Sequence, residues 1–337
     1  MSHERSDSDS DSDSDGGGIS LTEGLSAEAL AALFSFVATP AGDGDQAPSS
    51  CVTSDDMMSD KIAQHLDQTK ADPTRTVMTA LKVSDPADAL DDLESRGVIR
   101  LNGVLSAEFC DKCLAETNRL LLVSQLGGTD HFVESRATGF GNVDASTKRW
   151  DMFLPHVGCF YDAMTSMLGK STPLTNLFEA LFEGSDAEFF EYAALVSDSG
   201  SLSQRIHSDT THQTRCPVYT VFIALQDITK AMGPTLFIPG SHDKAHHEQF
   251  RRNKHQWLTE ANYEEGTLSR GDVVVMDSRT FHCGSANDSS QRRALLYFSL
   301  LNPLTTSMGG GSIFENMSSL SLRSLLKACA ADSEKKL

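Results

Sequence analysis

The chain has 337 residues and a formal net charge of -19, with an acidic excess already in its first fifteen residues. A balance this acidic repels phosphate backbones and sets nucleic acid aside as a partner. Seven cysteines, an odd number at irregular spacing, suit reduced thiols in a cytoplasmic protein better than a disulfide framework, and no apolar run reaches membrane-spanning length.

Taken in order, residues 1–84 read as an acidic, Ser-rich extension. Ser-Asp repeats from Ser6 to Asp15 and the three glycines after them have nothing to bury, so this stretch is expected to be disordered. A short helix over Leu25–Ala38 and a Gly/Asp/Ser/Pro linker up to about Ser84 follow. The folded domain is placed at residues 85–305. Its first half predicts helices over Pro86–Glu94, from a Ser106 cap to about Val123, over Gly158–Leu168 and over Leu174–Phe182, with one strand at Gly97–Gly103. On the second of these helices Cys110 and Cys113 form a Cys-x-x-Cys with no second pair at zinc-site spacing, and are read as two residues sharing a helix face.

The second half turns to strands: Glu188–Ser197, Val218–Gln226, Thr235–Pro239, Gly271–Asp277 and Arg293–Leu300. Helices followed by many short strands give an α+β, mainly β class, a sandwich or barrel with helices packed on one side. Residues 306–337 form a tail with a helix over Ser321–Ala331, and the closing Lys-Lys-Leu only loosely matches a peroxisomal address.

The chemistry is concentrated in Gln204-Arg-Ile-His-Ser-Asp209. On an extended strand His207 and Asp209 project from one face while Ser208 points away, which is how a strand presents a metal. A chain with 11 His contains His-x-Asp by accident, and there is a second copy, His65-Leu66-Asp67. That copy lies in a segment without strand alternation, where positions i and i+2 do not share a face, and is treated as a decoy. One imidazole and one carboxylate do not fill a coordination shell; His282 is the best candidate for the third ligand. Two His and one carboxylate with open positions opposite suit non-haem Fe(II).

The ordered run of His207-x-Asp209, Pro239-Gly-Ser-His242, the Gly271-Asp strand, His282 and then Arg292-Arg293 resembles the phytanoyl-CoA dioxygenase family of Fe(II)/2-oxoglutarate oxygenases, over roughly Asp85 to Pro303. The resemblance implies a double-stranded β-helix, a jelly-roll, cupin-like barrel, with iron held by His207, Asp209 and His282. It implies 2-oxoglutarate and dioxygen as cosubstrates, ascorbate as supporting reductant, and succinate and CO2 as products. It places an arginine against the far carboxylate of 2-oxoglutarate ten or eleven residues past the distal histidine. Alignment of the following strand favours Arg292 and counting favours Arg293; because side chains alternate, only one can face inward.

The resemblance also puts Gln204, Phe222 and Ser285 beside the cosubstrate or substrate. It makes Lys148-Arg149-Trp150-Asp151 a substrate-side lid region, although an exposed turn reads equally well. Arg149, Trp150 and His242 are thereby substrate candidates, His242 being better read as a structural hydrogen-bonding residue, and His212 as a bystander. Halogenating members of the family carry a small residue in place of the carboxylate. Asp209 is present, so hydroxylation of a small organic or acyl-type substrate is expected. A catalytically silent metal-binding or sensor barrel and a hydroxylase of protein side chains remain the alternatives.

Overall fold

The computed structural model describes residues 76–81, 86–126, 141–144, 148–305 and 320–334. The Ser-Asp repeats, the helix expected at Leu25–Ala38 and the His65-Leu66-Asp67 decoy lie outside these residues.

Twelve strands form two sheets among the described residues. In chain order the strands are β1 (Thr76–Val77), β2 (Ala80–Leu81), β3 (Val98–Leu101), β4 (Gly141–Asp144), β5 (Arg149–Phe153), β6 (Phe189–Ser197), β7 (Val218–Ala224), β8 (Thr235–Phe237), β9 (Glu264–Gly266), β10 (Val273–Asp277), β11 (His282–Gly284) and β12 (Arg293–Leu301). The major sheet runs β2-β3-β10-β7-β12-β6-β5-β4 and the minor one β1-β9-β8-β11. The long antiparallel pairings β12 with β6 and with β7 build the middle of the major sheet. The five strands expected in the second half all form, and of Lys148–Asp151 only Lys148 is an exposed turn residue: Arg149 opens β5, which carries Trp150 and Asp151.

The two sheets face each other as the walls of a double-stranded β-helix. Side chains alternate across each strand, so one set of the major sheet fills the space between the walls. Val98, Ala224, Val274, Met276 and Leu295 of the major sheet pack there with Phe237 of the minor one. The outer face of the major sheet is covered by α1 (Pro86–Arg96), α2 (Ala107–Leu126), α3 (Gly158–Met167) and α4 (Pro173–Leu181). Phe178 of α4 meets Phe298 of β12 at 6.5 Å between ring centroids, and the Tyr192 hydroxyl of β6 donates to the Phe160 carbonyl of α3 at 3.0 Å. Cys110 and Cys113 are fully buried on this face of α2, in keeping with a packing role.

Two shorter helices, α5 (Lys244–Arg252) and α6 (Lys254–Glu260), are inserted between β8 and β9 and cover the other sheet. Trp257 and Leu258 pack there against Leu236, Ile238 and Phe281, with Phe250 alongside. The basic run Arg251-Arg252-Asn253-Lys254-His255 therefore spans the junction of two helices and is largely exposed. The last helix, α7 (Leu322–Glu334), packs against α3.

Candidate metal centre

His207 does not sit in a regular strand. It forms a single β-bridge with His282, its N–H donating to the His282 carbonyl at 3.0 Å and its carbonyl accepting from His282 N–H at 2.8 Å. The physical cause is local: the chain between β6 and β7 pairs with β11 only at isolated points, at His207 and again where Gln204 N–H meets the Gly284 carbonyl at 2.8 Å. The single bridge is enough to bring the two imidazoles together, with ring centroids 4.5 Å apart.

Asp209 completes the group. Its Oδ1 lies 3.6 Å from His207 Nε2 and 3.7 Å from His282 Nε2, and one ligand atom from each residue lies within 4.8 Å of the others. Both rings are turned the same way. His207 Nδ1 is 2.8 Å from the Arg205 carbonyl and His282 Nδ1 is 3.0 Å from the Thr280 carbonyl. A carbonyl can only accept, so each Nδ1 carries the hydrogen and each Nε2 keeps its lone pair for the centre. Burial pushes the His282 imidazole below its ordinary pKa, which favours the neutral, ligating form. The turn leading into His282 at the start of β11 is fixed from outside: Phe281 N–H donates to Ser241 Oγ at 2.9 Å, and Thr280 Oγ1 donates to the Gly97 carbonyl at 2.9 Å.

Arg293, not Arg292, faces the interior. Arg293 is buried at 1% exposure and donates to the Gly233 carbonyl and to Ser197 Oγ. Arg292 points to the outside, ion-paired with Asp198 at 2.6 Å and bonded to Asn118 at 3.0 Å. Arg149 is equally buried and reaches Ser197 Oγ at 2.7 Å, Leu202 O at 2.9 Å, Gly284 O at 3.1 Å and Ser285 O at 2.5 Å. Its guanidinium thus spans from the major wall to the strand end that follows His282. Trp150, next in sequence, turns outward and donates from Nε1 to Asp198 at 2.8 Å.

Two buried cations, Arg149 and Arg293, meet at this end of the barrel. Burial, and next the charge of Arg149, push the Arg293 guanidinium down to about 9. A guanidinium does not give up its proton near neutrality, so the cost is a standing demand for a negative partner. Two buried donors here have no hydrogen-bond acceptor: Arg293 Nε and Ser285 Oγ. The backbone is shaped around them. Gly233 adopts φ +69°, and a Cβ there would lie 2.3 Å from the Ala286 carbonyl oxygen; a Cβ on Gly284 would lie 2.7 Å from both Arg149 Nη1 and Gln204 Oε1.

The remaining candidates divide. Gln204 Oε1 accepts from Gly284 N–H at 3.0 Å, beside the buried arginines. Phe222 is half-buried on the inner face of β7, directly opposite Tyr297 with ring centroids 5.9 Å apart. His242 is tied elsewhere: its Nε2 donates to the Glu94 carbonyl at the end of α1 at 3.0 Å, and its own carbonyl accepts from His212 Nδ1 at 3.1 Å. Both line a cavity of ≈ 640 Å³ next to α1 and α4, and neither belongs to the metal group.

Two interior residues, Ser197 and Tyr297, carry no motif in the sequence, and Asp151 enters there only as the end of the lid segment. Ser197 lies between the two arginines, and the Tyr297 hydroxyl donates to the Asp151 carboxylate at 3.0 Å. Alternation could have found them, since Tyr297 is four residues past Arg293 and Asp151 two past Arg149, on the same faces.

A family model described as phytanoyl-CoA dioxygenase matches residues 93–295. The dioxygenase af480 of Aspergillus fumigatus is 25% identical over 256 residues, which cover 73% of this chain and 78% of that one. Among solved structures, the epimerase SnoN in complex with Fe3+, alpha ketoglutarate and nogalamycin RO superposes with a TM-score of 0.50 at 20% identity, covering 71% of this chain and 100% of that one. AviO1 from Streptomyces viridochromogenes gives a TM-score of 0.51 at 18% identity, covering 68% and 100%. At such identities the two structures speak for the fold.

Proposed function

The chain belongs to the phytanoyl-CoA dioxygenase family, and on that premise we propose that it is an Fe(II)- and 2-oxoglutarate-dependent dioxygenase that hydroxylates a small organic substrate. The observation that carries the reading is the pairing of two preformed features in one barrel. One is a His-Asp-His group with both Nε2 atoms free to ligate. The other is a buried pair of arginines, beside which Arg293 Nε and Ser285 Oγ have no acceptor.

The residues present fit both cofactors. His207 and His282 would hold the iron through Nε2 and Asp209 through a carboxylate oxygen, the set that suits ferrous iron with open positions. Arg293, with Arg149 and the Ser285 hydroxyl, would take the far carboxylate of 2-oxoglutarate, because a planar guanidinium pairs bidentately with a carboxylate and the orphaned donors there need one. When bound, iron and 2-oxoglutarate supply with dioxygen the oxidising power for a C–H bond, releasing succinate and CO2. The chain's own part is to orient and to exclude water. The Nδ1 hydrogen bonds hold each imidazole at a fixed tilt and tautomer. Val274, Ala224, Leu295 and Phe237 keep the neighbouring interior dry, which strengthens every charge interaction inside. Residues 85–305 would carry the activity, so removing the first eighteen residues should leave it in place.

The test is conversion of 2-oxoglutarate to succinate by purified protein with Fe(II) and ascorbate, followed by a search of metabolite extracts for stimulation. Substrate-stimulated succinate release supports the reading. A protein that retains iron yet releases no succinate with any extract would be a binding or sensor barrel instead.

A further inference from the structure

Resting on that reading, we infer that Gln226 is a positioning residue for 2-oxoglutarate: its side-chain amide clamps the start of β12 so that Arg293 faces the barrel interior. The ladder between β7 and β12 ends at Ala224 opposite Leu295. Continued by one residue, the register would set Leu225 against Ala294, but the chain leaves the sheet there. The Gln226 amide substitutes for the missing backbone. Its Nε2 donates to the Arg292 carbonyl at 2.8 Å and its Oε1 accepts from Ala294 N–H at 3.3 Å, so one side chain grips the backbone on both sides of Arg293.

The grip matters because two arginines are adjacent. A slip or twist of one residue at the start of β12 would exchange the inward Arg293 for the outward Arg292, since alternate residues take opposite faces. Strand ends fray, and this end carries a buried cation whose burial opposes its inward position. Asp198 holds Arg292 outside at 2.6 Å, while Gln226 holds the backbone between the two. Gln226 reaches neither metal ligand nor cosubstrate in this role; it acts through Arg293.

Two variants of the full chain test this. Gln226→Leu removes both bonds at similar size; Gln226→Glu keeps the acceptor for Ala294 N–H and loses the donor to Arg292. Without metal or cosubstrate, backbone hydrogen exchange at Ala294 should speed up in the Leu variant and change less in the Glu variant. With Fe(II) under anaerobic conditions, the Leu variant should weaken 2-oxoglutarate binding by about tenfold, the size of one or two lost hydrogen bonds. Pyruvate, which has the same chelating end and lacks the far carboxylate, should bind within about twofold of wild type, because Arg293 has nothing to hold in it. Equal weakening of both ligands, or unchanged 2-oxoglutarate binding in both variants, overturns the inference. A wild-type protein that binds no 2-oxoglutarate overturns the proposed function and this inference together, whereas wild-type binding with an unaffected Leu variant overturns the inference alone.

Discussion

Arg149 and Arg293 donate to a single acceptor, the Ser197 hydroxyl, at 2.7 and 3.1 Å, from positions directly opposite Ser197 on the strands to either side of it. One residue along each strand the faces reverse: Trp150 and Arg292 meet at the Asp198 carboxylate outside. The pleat thus sorts two arginines inward and gives the outward one an acid. Replacing Arg293 by Leu should raise the KM for 2-oxoglutarate on the order of 100-fold, the cost of a lost charge-assisted pair. Arg292→Leu should change it by less than about threefold, as expected for a partly exposed pair. Steady-state kinetics with varied 2-oxoglutarate separates the two.

Substitution of His207, Asp209 or His282 by Ala should abolish turnover. His207 and Asp209 are part-exposed, with side-chain exposures of 42% and 23%, so their loss should leave the apo protein folded. A divalent ion that binds only the native state raises the melting temperature. That rise should be present in wild type, absent in all three variants and abolished by a chelator in wild type. Thermal melts with and without metal read it out.

Acid should destabilise the fold through His247. Its imidazole is buried under α5, donating from Nε2 to the Arg279 carbonyl at 2.8 Å, and burial lowers its pKa below the ordinary 6.5. The unfolded chain therefore takes up a proton near that ordinary value while the folded chain resists, so stability rises with pH across the window and falls as pH drops below 6.5. The loss levels off once pH is below the folded pKa. His247→Gln keeps a donor for the Arg279 carbonyl and cannot titrate. The variant's denaturation midpoint should fall less steeply from pH 7 to pH 5 than that of wild type.

The thiols should differ in reactivity. Burial pushes the Cys110 thiol up to about 11 and, after a hydrogen bond with Cys159, also raises that of Cys113. The hydrogen bond from Cys113 lowers that of Cys159, which is only half-buried. At neutral pH Cys159 should be alkylated well before either helix α2 cysteine, since the thiolate is the nucleophile. Mass spectrometry of partially alkylated peptides measures the order.

Much of this was legible in the chain itself. The long strands carry dense apolar runs, β-branched and aromatic in Val218–Ala224 and leucine-rich and aromatic in Arg293–Leu301, and each forms where its run lies. The meeting of His207, Asp209 and His282 was legible from context, since the His-x-Asp at 207–209 lies among strand-like runs and the copy at 65–67 does not. What was not legible depends on pairing. The strand Arg149–Phe153 reads as charged, and only its partner strand shows that Arg149 and Asp151 face inward. The choice between Arg292 and Arg293 rests on the phase of the pleat, which adjacent like residues conceal. His207 belongs to no regular strand, so the two side chains that alternation places on one face come from a segment that makes one bridge. The short strands Glu264–Gly266 and His282–Gly284 span three residues each, too few for a period to show.

The central claim is that three ligand residues and an inward arginine together hold iron and 2-oxoglutarate in one barrel. Anaerobic visible absorption of the Fe(II)-loaded protein on addition of 2-oxoglutarate tests it most directly. A metal-to-ligand charge-transfer band should develop in wild type, be lost in His282→Ala, and require far more 2-oxoglutarate in Arg293→Leu. No band in wild type, or a band that survives the loss of His282, would contradict the account.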